Sequence, residues 1–289
     1  MKISSFGAPV ALFAAAALTL SACAANETAN PGTGTSGSAA AGGTLAGKGA
    51  SSMSAAQQKW IADYQSAHPG VTINYSPDGS GAGRTAFTDG AAAFAGSDRA
   101  LKDDEMDGAF ALCVDGTKPI NLPVYISPIA IIFNVEGVEE LNLTAEVVAK
   151  IFAGEITNWN DPAIAADNPD TELPDQNIVV VHRSDESGTT ENFVDYLKQA
   201  APNDWPHEVD GNWPTGSGEA ANGTAGVISA INAGSGTIGY ADLSQVGDLG
   251  TVNVKVGDEY VAPSAEAAGK IFEASKRVPG QGKYVFAYD

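Results

Sequence analysis

The chain has 289 residues, 44% of them hydrophobic and 17% charged, which is enough apolar mass for one large core or two smaller ones. Acids outnumber Lys and Arg by 35 to 15, a formal charge of −20 that repels nucleic acid and anionic membrane surfaces and excludes both as partners. The same charge opposes a free anion at long range, so an anionic ligand has to be held by local dipoles and hydrogen bonds.

At the N-terminus, Lys2 and the apolar run Val10 to Leu20 predict a signal peptide, the run being too short to span a bilayer. The run ends in Leu20-Ser21-Ala22-Cys23, which resembles the lipobox of bacterial lipoproteins. The resemblance implies that residues 1–22 are removed, that Cys23 is lipidated, and that an otherwise soluble domain is held outside the cell membrane by that anchor alone. Residues 23–44 are rich in Ala, Gly, Ser and Thr and predict a flexible tether. Cys113, the other cysteine, reads as a small buried hydrophobe, or as one half of a disulfide whose partner is missing.

Beyond the tether, strands and helices alternate. Ser54 to Ala67 carries Trp60, Ile61 and Tyr64 at helical spacing and stops at His68-Pro69-Gly70. Val71 to Tyr75 alternates as a half-buried strand, and the continuous apolar run Ile129 to Phe133 reads as a strand covered on both faces. Ala145 to Phe152 predicts a helix, Ile178 to Val181 a strand, Thr190 to Lys198 and Gly226 to Asn232 helices, and Thr237 to Tyr240 and Val252 to Val256 strands. The alternation predicts an α/β fold with largely parallel sheets.

Four segments place glycines and small hydroxyl residues at what reads as the start of a helix: Gly47 to Ser52, Gly79 to Gly83, Gly96-Ser97-Asp98 and Arg183 to Thr189. Helix N-termini offer unsatisfied N–H groups and partial positive charge, so several meeting at one point make an anion site with little formal charge. Taken singly, each segment reads more readily as a simple cap or turn, and it is the set, with its one Arg and one Asp, that points to an anion site. Other chemistries find less support. Gly42 to Lys48 fits G-x-x-x-x-G-K, but Gly49 stands where a magnesium-binding hydroxyl belongs, and a tether precedes it where a strand is required. No G-x-S-x-G elbow is present, and His68, His182 and His207 lack metal-ligand spacing. Asp103-Asp104-Glu105 reads as the solvated first turn of a helix. No metal, cofactor or catalytic residue is expected, and the chain reads as a binding protein, with an enzyme, an adhesin or a sensor as the rival classes.

Phe94 to Asp98, Ile151 to Pro162, Val180 to Thr190 and Gly236 to Tyr240 together resemble the phosphate-binding proteins of bacterial ABC phosphate importers, over about Leu45 to the end of the chain. The resemblance implies a periplasmic-binding-protein type II fold, with two lobes and the ligand cleft between them. It divides the chain into lobe one, residues 45–130, and lobe two, residues 131–289, and it implies that lobe one lacks its final strand and helix, leaving an edge and apolar surface uncovered. The implied ligand is inorganic phosphate, with another oxyanion such as sulfate, molybdate or arsenate as the alternative; the implied partner is an ABC permease and the implied state a monomer. The family's ligand contacts fall on Ser51, Ser52, Ser80, Asp98, Arg183, Ser187, Gly188 and Thr189, with Asp185 supporting Arg183. Ser51-Ser52-Met53 departs from the best-known Thr-Phe-Pro and loses its helix-starting proline. Near neutral pH phosphate still carries a proton and sulfate none, so a buried Asp98 would accept from the first and repel the second. From spacing alone, Arg183 and Asp185 could equally be a surface ion pair.

Overall fold

The computed structural model describes residues 42–277 and 286–287. The signal segment, Cys23 and nearly all of the tether lie outside the described residues. The expected tether ends early, because Gly43 and Thr44 already belong to the first strand.

Two sheets organise the chain. In the first, β1 (Gly43–Gly49) leads through a turn to α1 (Ser54–Ala67), β2 (Val71–Ser76), α2 (Ser80–Thr88), β3 (Phe94–Gly96) and the single turn α3 (Asp103–Met106). The order is β2-β1-β3, all parallel. Since Gly42 to Lys48 runs up to and along β1, the G-x-x-x-x-G-K spacing is extended backbone and forms no phosphate loop.

Helix α1 occupies the predicted residues, yet its apolar stripe is not a core face: Trp60 and Tyr64 are exposed and Gln57 is the buried residue. Trp60 meets Tyr125 edge-on, and Tyr64 packs on His68. Periodicity locates a helix but not the surface that will cover it. Cys113 is free and half-exposed, against the buried reading, on an irregular stretch where Leu112, Val114, Ile120, Leu122 and Val124 also face outward.

The second sheet begins with β4 (Ile129–Asn134) and β5 (Glu140–Leu143). It continues past α4 (Ala145–Ala153) and α5 (Pro162–Asp167) to β6 (Val179–Arg183), and past α6 (Gly188–Ala200) to β7 (Glu219–Ala221). After α7 (Gly223–Ala233) come β8 (Thr237–Asp242), β9 (Gly250–Val256) and β10 (Glu259–Val261), followed by α8 (Ala265–Ala274) and a small pair, β11 (Lys276–Arg277) with β12 (Phe286–Ala287). The strand order is β10-β9-β4-β8-β6-β7, with β5 beside β9.

This sheet corrects the expectation of largely parallel pairing. β4 is antiparallel to both β8 and β9, and β10 is antiparallel to β9. β6 runs parallel to both β7 and β8, and β5 parallel to β9. An apolar run reports that both faces are covered, whichever way its neighbours point. In β4 the alternation is legible: Ile131 and Phe133 enter one core with Phe152, Trp159, Phe193 and Tyr240, while Ala130 and Ile132 enter the opposite core with Val181, Val227 and Ile231. At about 1.5–3 kcal/mol for each large side chain removed from water, the two cores on either face of this sheet carry most of the apolar burial among the described residues.

Helix α4 shows how local sequence sets an element's limits. Thr144 accepts a hydrogen bond from the Val147 N–H at the start, and Gly154 adopts a left-handed conformation at the end.

Candidate functional site

The C-terminal ends of β1, β3 and β6 meet the N-termini of α1, α2, α6 and α7. Ser51 lies in the turn from β1 into α1; its hydroxyl accepts from the Thr224 N–H of α7 at 2.9 Å and lies 3.1 Å from the Thr224 hydroxyl. Ser52 donates to Asp98 Oδ1 at 2.5 Å, and Thr189, in the first turn of α6, donates to Asp98 Oδ2 at 2.9 Å. The Asp98 N–H reaches Ser80 Oγ at 3.3 Å. Ser187 caps α6, its side chain accepting from the Thr190 N–H. A Cβ placed on Gly188 would lie 2.8 Å from Ser80 Oγ and 2.7 Å from the Asp98 Cβ, so α6 presses against the first sheet's loops with only glycine between.

Arg183 ends β6 and is 3% exposed, which rules out a surface ion pair. Its Nε donates to Asp185 Oδ1 at 2.8 Å and its Nη2 to Asp185 Oδ2, and Asp185 also accepts from the Gly223 N–H at 3.0 Å. Gly79 stands where a Cβ would fall 2.4 Å from Asp185 Oδ2, and its φ of +97° is one that glycine adopts without strain. All nine residues singled out in the sequence are therefore joined in one network of contacts, with Gly223 and Thr224 linking them, although they come from four separate stretches of chain.

The electrostatics follow from burial and partners. Burial pushes the Asp98 carboxyl up; the Ser52 and Thr189 hydroxyls and the Arg183 charge pull the other way, and Asp242 adds to the rise. Burial alone would raise Asp185, but the bonds and charge of Arg183 and the Gly223 N–H outweigh it and hold this carboxyl low. Burial also pushes the Tyr240 hydroxyl up to about 12; it stays a neutral partner to the Arg183 N–H and the Thr190 hydroxyl.

Of the four small-residue segments, those at Ser80 and Ser187 open helices. Gly47 to Gly49 is strand, and α1 starts only after Met53. Gly96-Ser97-Asp98 ends a strand instead of starting a helix, since α3 begins at Asp103. Asp103 to Glu105 does open a helix, but Glu105 is not simply solvated. Burial would raise its pKa, yet bonds from Arg99, the Lys102 N–H and Arg84 lower it to about 2.

Sequence reasoning missed several residues here. Thr224 binds Ser51, Gln245 donates to the Ser51 and Ser52 carbonyls, and Asn192 donates to the Asp98 carbonyl. Asn222-Gly223-Thr224 has the same small, polar design as the four chosen segments and was detectable on that ground. Nothing in the sequence marks Gln245 or Asn192.

A fold with two sheets, whose helix N-termini converge on a hydroxyl-lined site holding one buried arginine and one buried aspartate, defines a receptor for a small oxyanion. Residues 34–285 match the PBP superfamily domain. The phosphate-binding protein PstS 3 of Mycobacterium tuberculosis is 39% identical over 98% of this chain and 78% of its own length. Its Mycobacterium leprae counterpart is 37% identical over the same shares. Among solved structures, a high affinity periplasmic phosphate-binding protein bound with phosphate is 25% identical, with a TM-score of 0.61 over 83% of this chain and 69% of that one. The phosphate-binding protein of Stenotrophomonas maltophilia shares the fold at 22% identity, with a TM-score of 0.61 over 83% and 70% of the two chains. The chain belongs to the PstS phosphate-binding proteins of the PBP superfamily.

Proposed function

We propose that the chain binds inorganic phosphate outside the cytoplasm and delivers it to the permease of an ABC importer, making and breaking no bond. Asp98 carries this reading. It is a desolvated carboxylate in a site otherwise lined with donors, so it suits an anion that still bears a proton. Ser51, Ser52, Ser80, Ser187, Gly188 and Thr189 supply hydroxyl and backbone donors. Arg183 supplies the charge-assisted contact, and Asp185 fixes its plane. With four helix N-termini around the site, the anion is held by dipoles despite the chain's net charge.

In this reading Cys23 carries the lipid after residues 1–22 are removed, and the following residues tether the domain up to β1. The lobes are the β1–β3 sheet with its helices and the β4–β10 sheet with its own, and the receptor acts as a monomer. Among the described residues no helix is long and apolar enough to cross a membrane.

Calorimetric titration with phosphate and then sulfate near neutral pH tests the function. Heat is expected from phosphate alone, and Asp98→Asn should weaken phosphate while narrowing its lead over sulfate. A folded wild-type chain that gives no heat with phosphate would refute the reading.

A further inference from the structure

We propose that the ion pairs running from α2 and the Arg99–Lys102 stretch to Glu186 and Glu191 are a latch that holds the two sheets together over the bound anion. The proposal rests on the phosphate-receptor reading and names residues outside the nine that touch or support the ligand. The first-sheet side contributes Arg84, Arg99 and Lys102, and the second-sheet side contributes Glu186 and Glu191. Arg84 Nη2 reaches Glu186 Oε1 at 2.7 Å, Arg99 Nε reaches Glu191 Oε2 at 2.8 Å, and Lys102 Nζ reaches Glu191 Oε1 at 3.1 Å.

Two features distinguish this arrangement from incidental surface charge. The Arg84 side chain is 7% exposed, so its pair is only weakly screened. The space around Glu186 is also kept clear. A Cβ on Gly81 would fall 1.2 Å from Glu186 Oε2, and one on Gly211 would fall 2.6 Å from Oε1. The carboxylate thus occupies a slot between a glycine of each sheet's segment, and the Gly81 N–H points to the Glu186 carbonyl at 3.4 Å.

The pairs are built to open as well as close. Glu105 braces both arginines from their own side, at 3.0 Å from Arg84 Nε and 2.6 Å from Arg99 Nη1. Arg84 also donates to Ser97, and Arg99 to the Ala100 carbonyl. If the sheets part, both arginines keep these partners while Glu186 and Glu191 pass into water. No charge is left buried alone, which is the outcome that makes breaking a buried pair expensive. Glu186 sits between Asp185 and Ser187, and Arg99 follows Asp98, so forming the latch and assembling the anion site are one movement.

The test compares wild type with Glu186→Gln, Arg84→Gln, the double variant and Gly81→Ala. Calorimetry and stopped-flow release would be read with phosphate, and small-angle scattering with and without it. Each single change should lower affinity about 10- to 100-fold, through faster release. Association should stay within about 3-fold. The double variant should be no weaker than the worse single one, because both remove the same contact. The variants should also show a larger radius of gyration with phosphate than wild type. Glu186 is partly exposed, so Glu186→Gln is the change that leaves folding intact. Unchanged release in that variant, or fully additive losses in the double, would overturn the latch. A wild-type chain that does not bind phosphate would sink the functional reading instead. Scattering would then decide the latch, with equal radii for wild type and Glu186→Gln counting against it.

Discussion

Gly188→Ala places one methyl group where the two halves of the site meet. The added Cβ would lie 2.7 Å from the Asp98 Cβ, 2.8 Å from Ser80 Oγ and 3.1 Å from the Asp98 nitrogen. Ordinary carbon contacts begin near ~3.5 Å, so α6 or the Asp98 loop has to retreat by roughly an ångström. Overpacking of this kind costs about 1–3 kcal/mol. If the strain is felt only with the halves together, it appears as a phosphate affinity ~5- to 150-fold weaker. On the proposed opening of the two halves, the strain is relieved without phosphate, and alanine is the better helix former at this first position of α6. The unliganded melting temperature should therefore stay within about 2 °C of wild type or rise. Calorimetry with phosphate and thermal melting with and without it measure both quantities. Affinity within twofold of wild type would mean that the gap accepts a methyl and that the close approach of α6 to Asp98 does not govern binding. A large fall in melting temperature without phosphate would place the strain inside one folded body and refute the reasoning equally.

Arg183→Lys should weaken phosphate by about 10- to 100-fold, because an ammonium cannot reproduce the fork that engages both Asp185 oxygens; an unchanged calorimetric affinity would remove Arg183 from the site. The Asp98 carboxyl is raised by burial, so lowering the pH protonates it earlier than an ordinary aspartate. The preference for phosphate over sulfate should shrink as the medium turns acidic, and competition titrations showing a constant ratio would contradict this. Glu105 is held at about 2, below its unfolded value, so it stabilises the fold above the ordinary carboxylate range, and that contribution is lost as pH falls toward 2. Denaturant melts across this window should show a shallower acid slope in Glu105→Gln, by up to about one proton; an identical slope would mean that Arg84 and Arg99 do not hold Glu105 in solution.

The sequence by itself determined the local elements and the chemistry of the site's parts. Ser54 to Ala67 becomes a helix at those limits because its periodicity and its His68-Pro69-Gly70 stop act within a few residues of each other. The glycines and hydroxyls beside Ser80 and Ser187 mark helix N-termini for the same local reason. Tertiary structure decided everything that depends on residues far apart in the chain. The antiparallel setting of β4 was hidden because an apolar run records burial and not direction. The exposure of Trp60 and Tyr64 was hidden because a stripe does not name what covers it. The pairing of Arg84 with Glu186 spans 102 positions, and a lone arginine on a glycine-rich helix looks the same whether it faces water or a carboxylate across a cleft. Charge carries no directional signature in sequence, since its partner is chosen only when the two sheets bring their loops to the same place.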